Sequence, residues 1–194
     1  IERHPLTPEE ANRLLETIDP FYKPLIYIAI TTGLRWSELA GLQICDVTLE
    51  GPEPQLTVNR GRHSTSKGSK YEKPKSLAGN RTLPLGPKQV ALINAHLGET
   101  SPHRTNDPTE PVFMTQNGRY LNYRNFRDRY FNSALSRAGL SKVTFHDLRR
   151  TTATFMVAKH VDLKTIEAWM GHSAYTWSLC IAHDRRTFES INSI

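Results

Sequence analysis

His146 and Arg149 belong to the densest polar cluster of the sequence, residues 144–151. Because they lie three residues apart, they would share one face of a helix. A guanidinium can hold a phosphate through two parallel hydrogen bonds, and an imidazole can take or give a proton near neutral pH. The pair therefore predicts a phosphate site. The alternative is a solvated helix N-terminus whose charges are incidental.

Two smaller clusters have both a chemical and a purely structural interpretation. Arg35 precedes Glu38 by three residues, so a salt bridge along a helix could orient the guanidinium, or the two could form only a surface pair. Gly171 can end a helix and leave His172 at a corner of the backbone. A histidine there could act on a ligand, or could only bond to nearby carbonyl groups.

Positive charge is concentrated in two segments of a chain whose formal net charge is +6. Residues 60–81 carry seven Lys or Arg against Glu72 alone, and residues 119–150 carry eight against Asp128 and Asp147. Clustered Lys and Arg favour a polyanion, because neutralising phosphates releases their counterions. The pattern indicates a nucleic-acid surface, with an unevenly charged solvated surface as the alternative.

The elements that must position these clusters are mostly helices. A capping box at 7–10 begins the first helix. Gly33 can end an apolar helix over 21–32 in the left-handed conformation, and a third helix over 37–42 would place Arg35 near its start. Further helices are expected over 87–97, from a cap at Asn122 to Gly139, over 145–160, and from a cap at Asp162 to Gly171.

A basic β-excursion interrupts the helices. Residues 55–59 and 81–85 are predicted to be short strands, joined by a polar, lysine-rich connection. Asn117-Gly118 is a turn signal between two short apolar runs. The sum predicts a mainly α fold with a small antiparallel β-sheet or hairpin, in the α+β class.

Composition is that of an ordinary globular domain, with 194 residues of which 38% are hydrophobic and 23% charged. One domain over 1–194 is expected. Cys45 and Cys180 are too few for a disulfide framework or a four-ligand zinc site, and no apolar run is long enough to span a membrane. We therefore expect a soluble, intracellular protein without a metal. The missing initial Met predicts an excised domain.

Taken in order, the clusters resemble the catalytic domain of the tyrosine recombinase family, the phage-integrase type. The matching motifs are Gly33-Leu34-Arg35-x-x-Glu38-Leu39, a hairpin lysine ahead of Arg81-Thr82-Leu83-Pro84-Leu85, His146-Asp147-Leu148-Arg149 and Gly171-His172-Ser173. The resemblance covers nearly the whole chain and implies that family's catalytic-domain fold. It also implies cleavage and rejoining of DNA strands by transesterification, with no metal or other cofactor.

The resemblance implies a role for each matching cation. Arg35 and Arg149 would bind the non-bridging oxygens of the scissile phosphate and stabilise its pentacoordinate transition state. A hairpin lysine would protonate the 5′-hydroxyl leaving group. Lys75 is the best match to that lysine, and Lys73 is the alternative.

The two histidines and two carboxylates of the motifs complete the implied site. His146 is similar to the family's proton-handling residue, and His172 to the residue that donates a hydrogen bond to the phosphate. Glu38 would orient Arg35, and Asp147 would support the start of its helix.

Position 181 departs from the family pattern. A nucleophilic tyrosine that forms a 3′-phosphotyrosyl link is expected there, but the residue is Ile181, which cannot attack a phosphodiester. One interpretation is an inactivating substitution, natural or engineered, that leaves a domain able to bind DNA and unable to cleave it. Tyr175, after a local rearrangement, and the thiolate of Cys180 are the alternative nucleophiles.

Three functions are compatible with these observations. The first is a site-specific recombinase or integrase catalytic domain that is deficient in cleavage. The second is a non-catalytic DNA-binding regulator derived from a recombinase, and the third is a helical RNA- or phosphoprotein-binding module. The resemblance implies double-stranded DNA as the partner, a homotetramer on DNA with a monomer possible alone, no membrane partner, and a nucleoid-associated location in the cytoplasm of a bacterium or phage-infected host.

The resemblance also makes expectations about domains and DNA contacts. The family's N-terminal core-binding domain is expected to be absent from this chain, and residues 184–194 are the candidate tail for docking on a neighbouring protomer. Candidate contacts to the DNA backbone or grooves are Arg60, Arg62, Lys70, Lys73, Arg124 and Arg127. No base-reading pattern is legible, so no target sequence is predicted.

Overall fold

The computed structural model describes residues 5–65, 68–74, 79–140 and 143–171 of the chain. These residues form a mainly helical body with two small antiparallel sheets, which confirms the predicted fold class. Short 3-10 turns lie at Pro20–Tyr22, Ile44–Asp46 and Ser101–His103. The α-helices are α1 (Pro8–Thr17), α2 (Lys23–Thr32), α3 (Trp36–Gly41), α4 (Pro87–Thr100), α5 (Tyr123–Phe126), α6 (Asn132–Arg137), α7 (Phe145–Ala158) and α8 (Leu163–Met170).

The helix ends follow local chemistry. The capping box of α1 is formed, with the Thr7 amide donating to the Glu10 carboxylate at 2.9 Å. Gly33 and Gly171 end α2 and α8 with φ of +66° and +63°, in the left-handed conformation that the sequence predicts for both. These two stops matter for the site, because each releases the chain directly into a segment that carries a candidate residue.

Two helices end where the sequence did not predict. α7 stops at Ala158 rather than at residue 160, because His160 takes a left-handed backbone with φ of +57°. α4 continues past residue 97 to Thr100, because Gly98 keeps a right-handed backbone instead of ending the helix. A glycine thus permits the left-handed stop without enforcing it.

The segment predicted as one helix from Asn122 to Gly139 is helical but not uniform. A π-helical turn over Arg127–Phe131 lies between α5 and α6. At the wider π spacing, Phe126 and Phe131 fall on the same side, and both rings are buried with centroids 6.1 Å apart. The irregular turn therefore lets two large rings enter the core.

The β-excursion contains two separate sheets. Strands β1 (Val47–Thr48), β2 (Gln55–Val58) and β5 (Arg81–Pro84) form an antiparallel sheet in the order β1-β2-β5, with Leu56 opposite Leu83 and Val58 opposite Arg81. The two predicted strands, β2 and β5, are confirmed. The connection between them was predicted only as a polar segment, and it contains a hairpin of β3 (Gly61–Thr65) and β4 (Gly68–Glu72).

The hairpin packs closely on α3. A Cβ at Gly41 would lie 2.8 Å from the backbone nitrogen of Arg62, so only glycine permits this approach of α3 to β3. The contact places the basic hairpin next to the segment that carries Arg35.

An aromatic cluster joins the starts of α3 and α7. Trp36 and Phe145, the first residues of these helices, meet edge to face with ring centroids 5.2 Å apart, and Phe126 stacks on Trp36 at 5.0 Å. Such ring pairs contribute about 1 kcal/mol each beyond their buried area. The cluster therefore fixes Arg35, one residue before Trp36, relative to His146, one residue after Phe145.

Candidate active site

Arg149 is held inside the protein by the ends of two other helices. Only 3% of the residue is exposed. Its guanidinium donates to the carbonyl of Gly33, the cap residue after α2, at 2.6 Å and to the carbonyl of Met170, the last residue of α8. Burial, followed by the charge of Arg35, lowers its pKa to about 9, so it remains protonated at neutral pH. The position of Arg149 thus depends on the caps at Gly33 and Gly171.

Arg35 lies at the start of α3 and donates two hydrogen bonds to the Glu38 carboxylate. The Arg35 amide donates to Glu38 Oε2 at 2.9 Å, and its guanidinium Nη1 donates to Oε1 at 2.7 Å. This confirms the predicted salt bridge. The Arg35 side chain is 36% exposed whereas that of Glu38 is 9% exposed, so the carboxylate is the fixed partner and the guanidinium faces outward.

Arg81 is a second cation on the same carboxylate. Its Nη2 lies 2.8 Å from Glu38 Oε2, and its Nε donates to the carbonyl of Trp169 at 2.7 Å. Burial raises the pKa of Glu38, but the hydrogen bond and charge of Arg81, with those of Arg35, outweigh it and hold that pKa below its ordinary value. Glu38 is therefore ionised and bridges two arginines.

His146 lies one turn from Arg149 on the exposed side of α7. Partial burial of the ring, reinforced by the charges of Arg149 and Arg150, lowers its pKa below the ordinary value. The imidazole is therefore mostly neutral at pH 7 and can accept a proton. The start of α7 is fixed by Asp147, which accepts from the Thr144 amide at 2.8 Å and from its hydroxyl at 2.6 Å, as the sequence predicts.

A polar cleft of about 480 Å³ lies between α3, the hairpin and the end of α8. Its lining includes Arg35 and Glu38 from the start of α3, Lys73 and Pro74 after the hairpin, and Gly171 at the end of α8. The remaining lining residues are Ser37, Arg60, Gly61, His63, Glu72 and Gly79. The cleft thus brings together segments from four distant parts of the sequence, each next to a candidate residue.

Several candidates lie outside the described residues. These are Lys75, His172 and Ile181, together with the alternative nucleophiles Tyr175 and Cys180 and the tail 184–194. The structure does describe Pro74, just before Lys75, and Gly79, four residues after it. Pro74 and Gly79 both line the cleft.

The candidate DNA contacts divide into two groups. Arg60, Arg62, Lys70 and Lys73 belong to the hairpin region, whereas Arg124 and Arg127 lie on α5 and the π turn, away from the cleft lining. Arg62 joins the hairpin to the segment just before α5, because it donates to the carbonyl of Leu121 at 2.9 Å and stacks 4.3 Å over the ring of Tyr120.

Three of these cations have acidic partners. Arg60 pairs with Asp46 at 2.6 Å, Lys70 with Glu72 at 2.5 Å, and Arg127 with Asp128 at 2.7 Å. Asp46 has only 3% of its side chain exposed, so the Arg60 pair is the most buried of the three. Part of the positive charge counted in the sequence is therefore balanced by acidic neighbours, and for Arg60 that neighbour is buried.

Sequence reasoning missed the place of Arg81 in the site. The residue entered only as the first letter of a strand motif, yet it reaches Glu38 across 43 residues. The signal in the sequence was an arginine at the start of a strand in which Leu83 is buried, but strand alternation does not tell where a long side chain ends.

The described ranges contain neither a metal-ligand cluster nor a membrane-spanning helix. Their His, Cys, Asp and Glu side chains form no group of three or more able to hold a metal ion. Within the same ranges, no helix combines the length and the apolar character needed to cross a membrane.

Known proteins resemble this chain in sequence and in fold. It matches the family model described as the phage integrase family over residues 4–177. The tyrosine recombinase XerC-like protein of Caldanaerobacter subterraneus subsp. tengcongensis is 29% identical over 181 residues, which are 85% of this chain and 46% of that protein. The chain spans about half the length of the curated relatives it matches.

Two solved structures share the fold. The Tn1549 transposon integrase in complex with transposon right end DNA aligns with a TM-score of 0.75 at 22% identity, over 96% of this chain and 67% of that chain. XerA recombinase aligns with a TM-score of 0.74 at 22% identity, over 98% of this chain and 64% of that chain.

Proposed function

The chain belongs to the phage integrase family, and on that premise we propose that it is the catalytic domain of a site-specific recombinase acting on double-stranded DNA. The observation that carries the proposal is the arrangement of Arg35 and Arg149. Arg149 is anchored at Gly33, two residues before Arg35, and at Met170, one residue before the cleft-lining Gly171. Arg35 lines the cleft, whereas Arg149 lies behind the lining, close enough for the charge of Arg35 to lower its pKa. Two neighbouring guanidinium groups from distant parts of the chain could together clamp a phosphodiester.

The two arginines would take the non-bridging oxygens of the scissile phosphate. Arg149 has five N–H groups, of which the two carbonyl bonds use two, and its buried Nε has no hydrogen-bond partner among the residues described. Arg35 faces outward from Glu38 with its charge at the cleft. Both cations would stabilise the extra negative charge that develops on the pentacoordinate phosphorus.

Proton transfers would be divided between a histidine and a lysine. In the reaction of the family, a tyrosine oxygen forms a bond to phosphorus while the bond from phosphorus to the 5′ oxygen breaks. His146, mostly neutral at pH 7, would accept the phenol proton, and Lys75 would donate a proton to the departing 5′ oxygen. Lys73, which lines the cleft, is the alternative donor, and His172 would donate a hydrogen bond to the phosphate.

Ile181 would stop this chain at the binding step, because an alkyl side chain has no oxygen to attack phosphorus. The same observation supports the second candidate function, a DNA-binding regulator that occupies a recombination site without cleaving it. The two candidates differ in whether the remaining site is still competent once a nucleophile is supplied.

Covalent trapping tests the proposal. The unchanged chain, Ile181→Tyr and the matched control Ile181→Phe are incubated with nicked duplexes from a random library, and adducts that survive denaturant are isolated. We expect an adduct with Ile181→Tyr alone, since phenylalanine fills the same space without the hydroxyl. DNA binding by all three proteins with no adduct from Ile181→Tyr would favour the regulator. An adduct with the unchanged chain would indicate attack by Tyr175, Cys180 or another residue, which mass spectrometry would identify.

Assembly on DNA is part of the same proposal. The single catalytic domain would form a homotetramer on two DNA sites, with residues 184–194 docking on a neighbouring protomer. An apolar groove of about 620 Å³ between α1, α2 and α7, whose lining includes Leu15, Phe155 and Met156, supports an apolar docking segment. Sedimentation with DNA tests this: Leu15→Asp is expected to lose the tetramer, and a tetramer of unchanged stability would contradict it.

A further inference from the structure

Arg81, the first residue of β5, is buried although the proposed reaction gives it no chemical task. Only 6% of its side chain is exposed. Its Nε donates to the carbonyl of Trp169 at 2.7 Å, its Nη2 donates to Glu38 Oε2 at 2.8 Å, and its Nη1 donates to the carbonyl of Gly79 at 3.2 Å. A buried guanidinium with partners on three segments is an expensive feature to desolvate, so its position calls for a physical reason.

The three partners belong to three segments of the site. Gly79 follows the segment that contains Lys75, and Glu38 accepts a hydrogen bond from Arg35. Trp169 is the last residue but one of α8 and lies two residues before Gly171, and the next carbonyl, that of Met170, accepts from Arg149. Two neighbouring carbonyls at the C-terminus of α8 therefore bind two different arginines, where the helix dipole favours positive charge.

The charges around Glu38 give Arg81 a specific effect. Arg35 donates to Oε1 at 2.7 Å, and Arg81 donates to Oε2 at 2.8 Å and to Oε1 at 3.3 Å, so one carboxylate has two cationic partners. The buried Arg81 supplies the countercharge to Glu38. Arg35, Glu38 and Arg81 together carry a net charge of +1, and Arg35 is the exposed member of the three, so the excess positive charge lies at the cleft. Without Arg81, Arg35 and Glu38 would form a neutral pair with little attraction for an anion.

We propose that Arg81 is a positioning residue of the phosphate site, which neutralises Glu38 and links Gly79 to the end of α8 so that Arg35 keeps its charge available at the cleft. This inference rests on the proposed function, because it assumes that Arg35 binds phosphate. It assigns Arg81 no contact with DNA and no proton transfer.

The test is a titration of the protein with inorganic phosphate, followed by NMR of arginine side chains labelled with ¹⁵N. The Nε–H signal of Arg35 is assigned from its loss in Arg35→Lys. The variants are Arg81→Gln, which removes the charge, and Arg81→Lys, which keeps the charge but cannot reach Glu38 and Trp169 together. Arg104→Gln is the matched control, because Arg104 has 7% of its side chain exposed and binds the carbonyls of Pro111 and Val112 outside the cleft lining.

We expect phosphate to shift the Arg35 signal in the unchanged protein, with an affinity about tenfold lower in Arg81→Gln and about threefold lower in Arg81→Lys. Arg104→Gln should lower the melting temperature and leave the phosphate affinity as it is. Equal affinities in Arg81→Gln and Arg104→Gln would overturn the inference and leave the phosphate site in place. Should Arg81→Gln fail to fold, an unchanged affinity in Arg81→Lys would overturn it as well. An Arg35 signal that phosphate never shifts would instead reject the proposed phosphate site, and the inference with it.

Discussion

The guanidinium of Arg149 donates to the carbonyl oxygen of Gly33 at 2.6 Å, across 116 residues of sequence. Together with its bond to Met170, this places one buried cation between the C-terminal ends of α2 and α8. Both helix ends carry partial negative charge, so the cation stabilises both. Arg149, which is proposed to bind phosphate, therefore also holds the segments of Arg35 and Gly171 in place through these two hydrogen bonds.

Arg149→Ala should consequently impair stability and binding together. Two buried carbonyls would lose their donor, so we expect the free energy of unfolding to fall by about 2 to 4 kcal/mol. Affinity for duplex DNA should fall modestly, and Ile181→Tyr should form no adduct in this background. Denaturant unfolding and fluorescence anisotropy measure the two effects.

Arg150→Ala is the control for that experiment. The Arg150 side chain is next to Arg149 in sequence but is 39% exposed, and its guanidinium lies 3.4 Å from the Asp147 carboxylate. A loss of under about 1 kcal/mol is expected there. If Arg149→Ala lowered the free energy of unfolding no more than Arg150→Ala, Arg149 would not stabilise the ends of α2 and α8 as inferred.

The sequence predicted the elements whose signals are local. The capping box of Thr7 and Glu10 and the left-handed stops at Gly33 and Gly171 depend on residues within a few positions, and all three are present. The Arg35 and Glu38 pair has a spacing of three and was predicted for the same reason. Local geometry alone determines such features.

Features that depend on distant partners were not predictable in this way. Arg81 and Glu38 are 43 residues apart, and Arg60 is held by Asp46 from 14 residues away, so neither burial follows from local pattern. The hairpin of β3 and β4 consists largely of polar residues, and its strand signal is weak because little of it is buried. Its packing on Gly41 becomes visible only in three dimensions.

The burial of His96, which lies outside the site, predicts that the free energy of unfolding depends on pH. Its side chain is buried between Phe21 and Phe113, with ring centroids 4.9 and 5.3 Å away, and burial together with the charge of Arg104 lowers its pKa from 6.5 to about 4. Between these two values the unfolded chain binds a proton that the folded chain does not. The free energy of unfolding is therefore highest above pH 6.5 and falls by about 3 kcal/mol as the pH drops to 4.

Urea unfolding between pH 4 and pH 8 measures this effect. His96→Gln should remove most of the loss below pH 6.5, whereas His103→Gln, at an exposed position, should keep it. If the pH dependence of His96→Gln matched that of the unchanged protein, the loss would come from other groups.

Gly33→Ala should disturb the site through the backbone. The φ of +66° strains any residue with a Cβ, and the added carbon would lie 2.8 Å from Met170 Sδ and 3.2 Å from Thr152 Oγ1. We expect a loss of about 2 to 3 kcal/mol in the free energy of unfolding and weaker DNA binding, because the Gly33 carbonyl would shift away from Arg149.

Gly139→Ala is matched to that variant, since Gly139 has a φ of +73° and open space around the added carbon. It should cost about 1 kcal/mol, from backbone strain alone, and leave DNA affinity unchanged. Equal effects of the two substitutions on both stability and DNA binding would show that the contacts of Gly33 with the site have no influence.

The dependence of DNA affinity on salt distinguishes cations that face DNA from cations used inside the fold. Lys73 is exposed and lines the cleft. The plot of log affinity against log salt falls with a negative slope, and Lys73→Ala should make that slope shallower by about 0.9, the value for one lost phosphate contact. Arg60 is paired with the buried Asp46 at 2.6 Å. Arg60→Ala should therefore leave the slope nearly unchanged and lower the free energy of unfolding by about 2 kcal/mol, because the buried Asp46 carboxylate would lose its cationic partner and keep only neutral donors. Anisotropy titrations from 50 to about 200 mM salt cover the range in which such slopes are measured. A slope reduced as much by Arg60→Ala as by Lys73→Ala would mean that Arg60 leaves Asp46 for a phosphate when DNA binds.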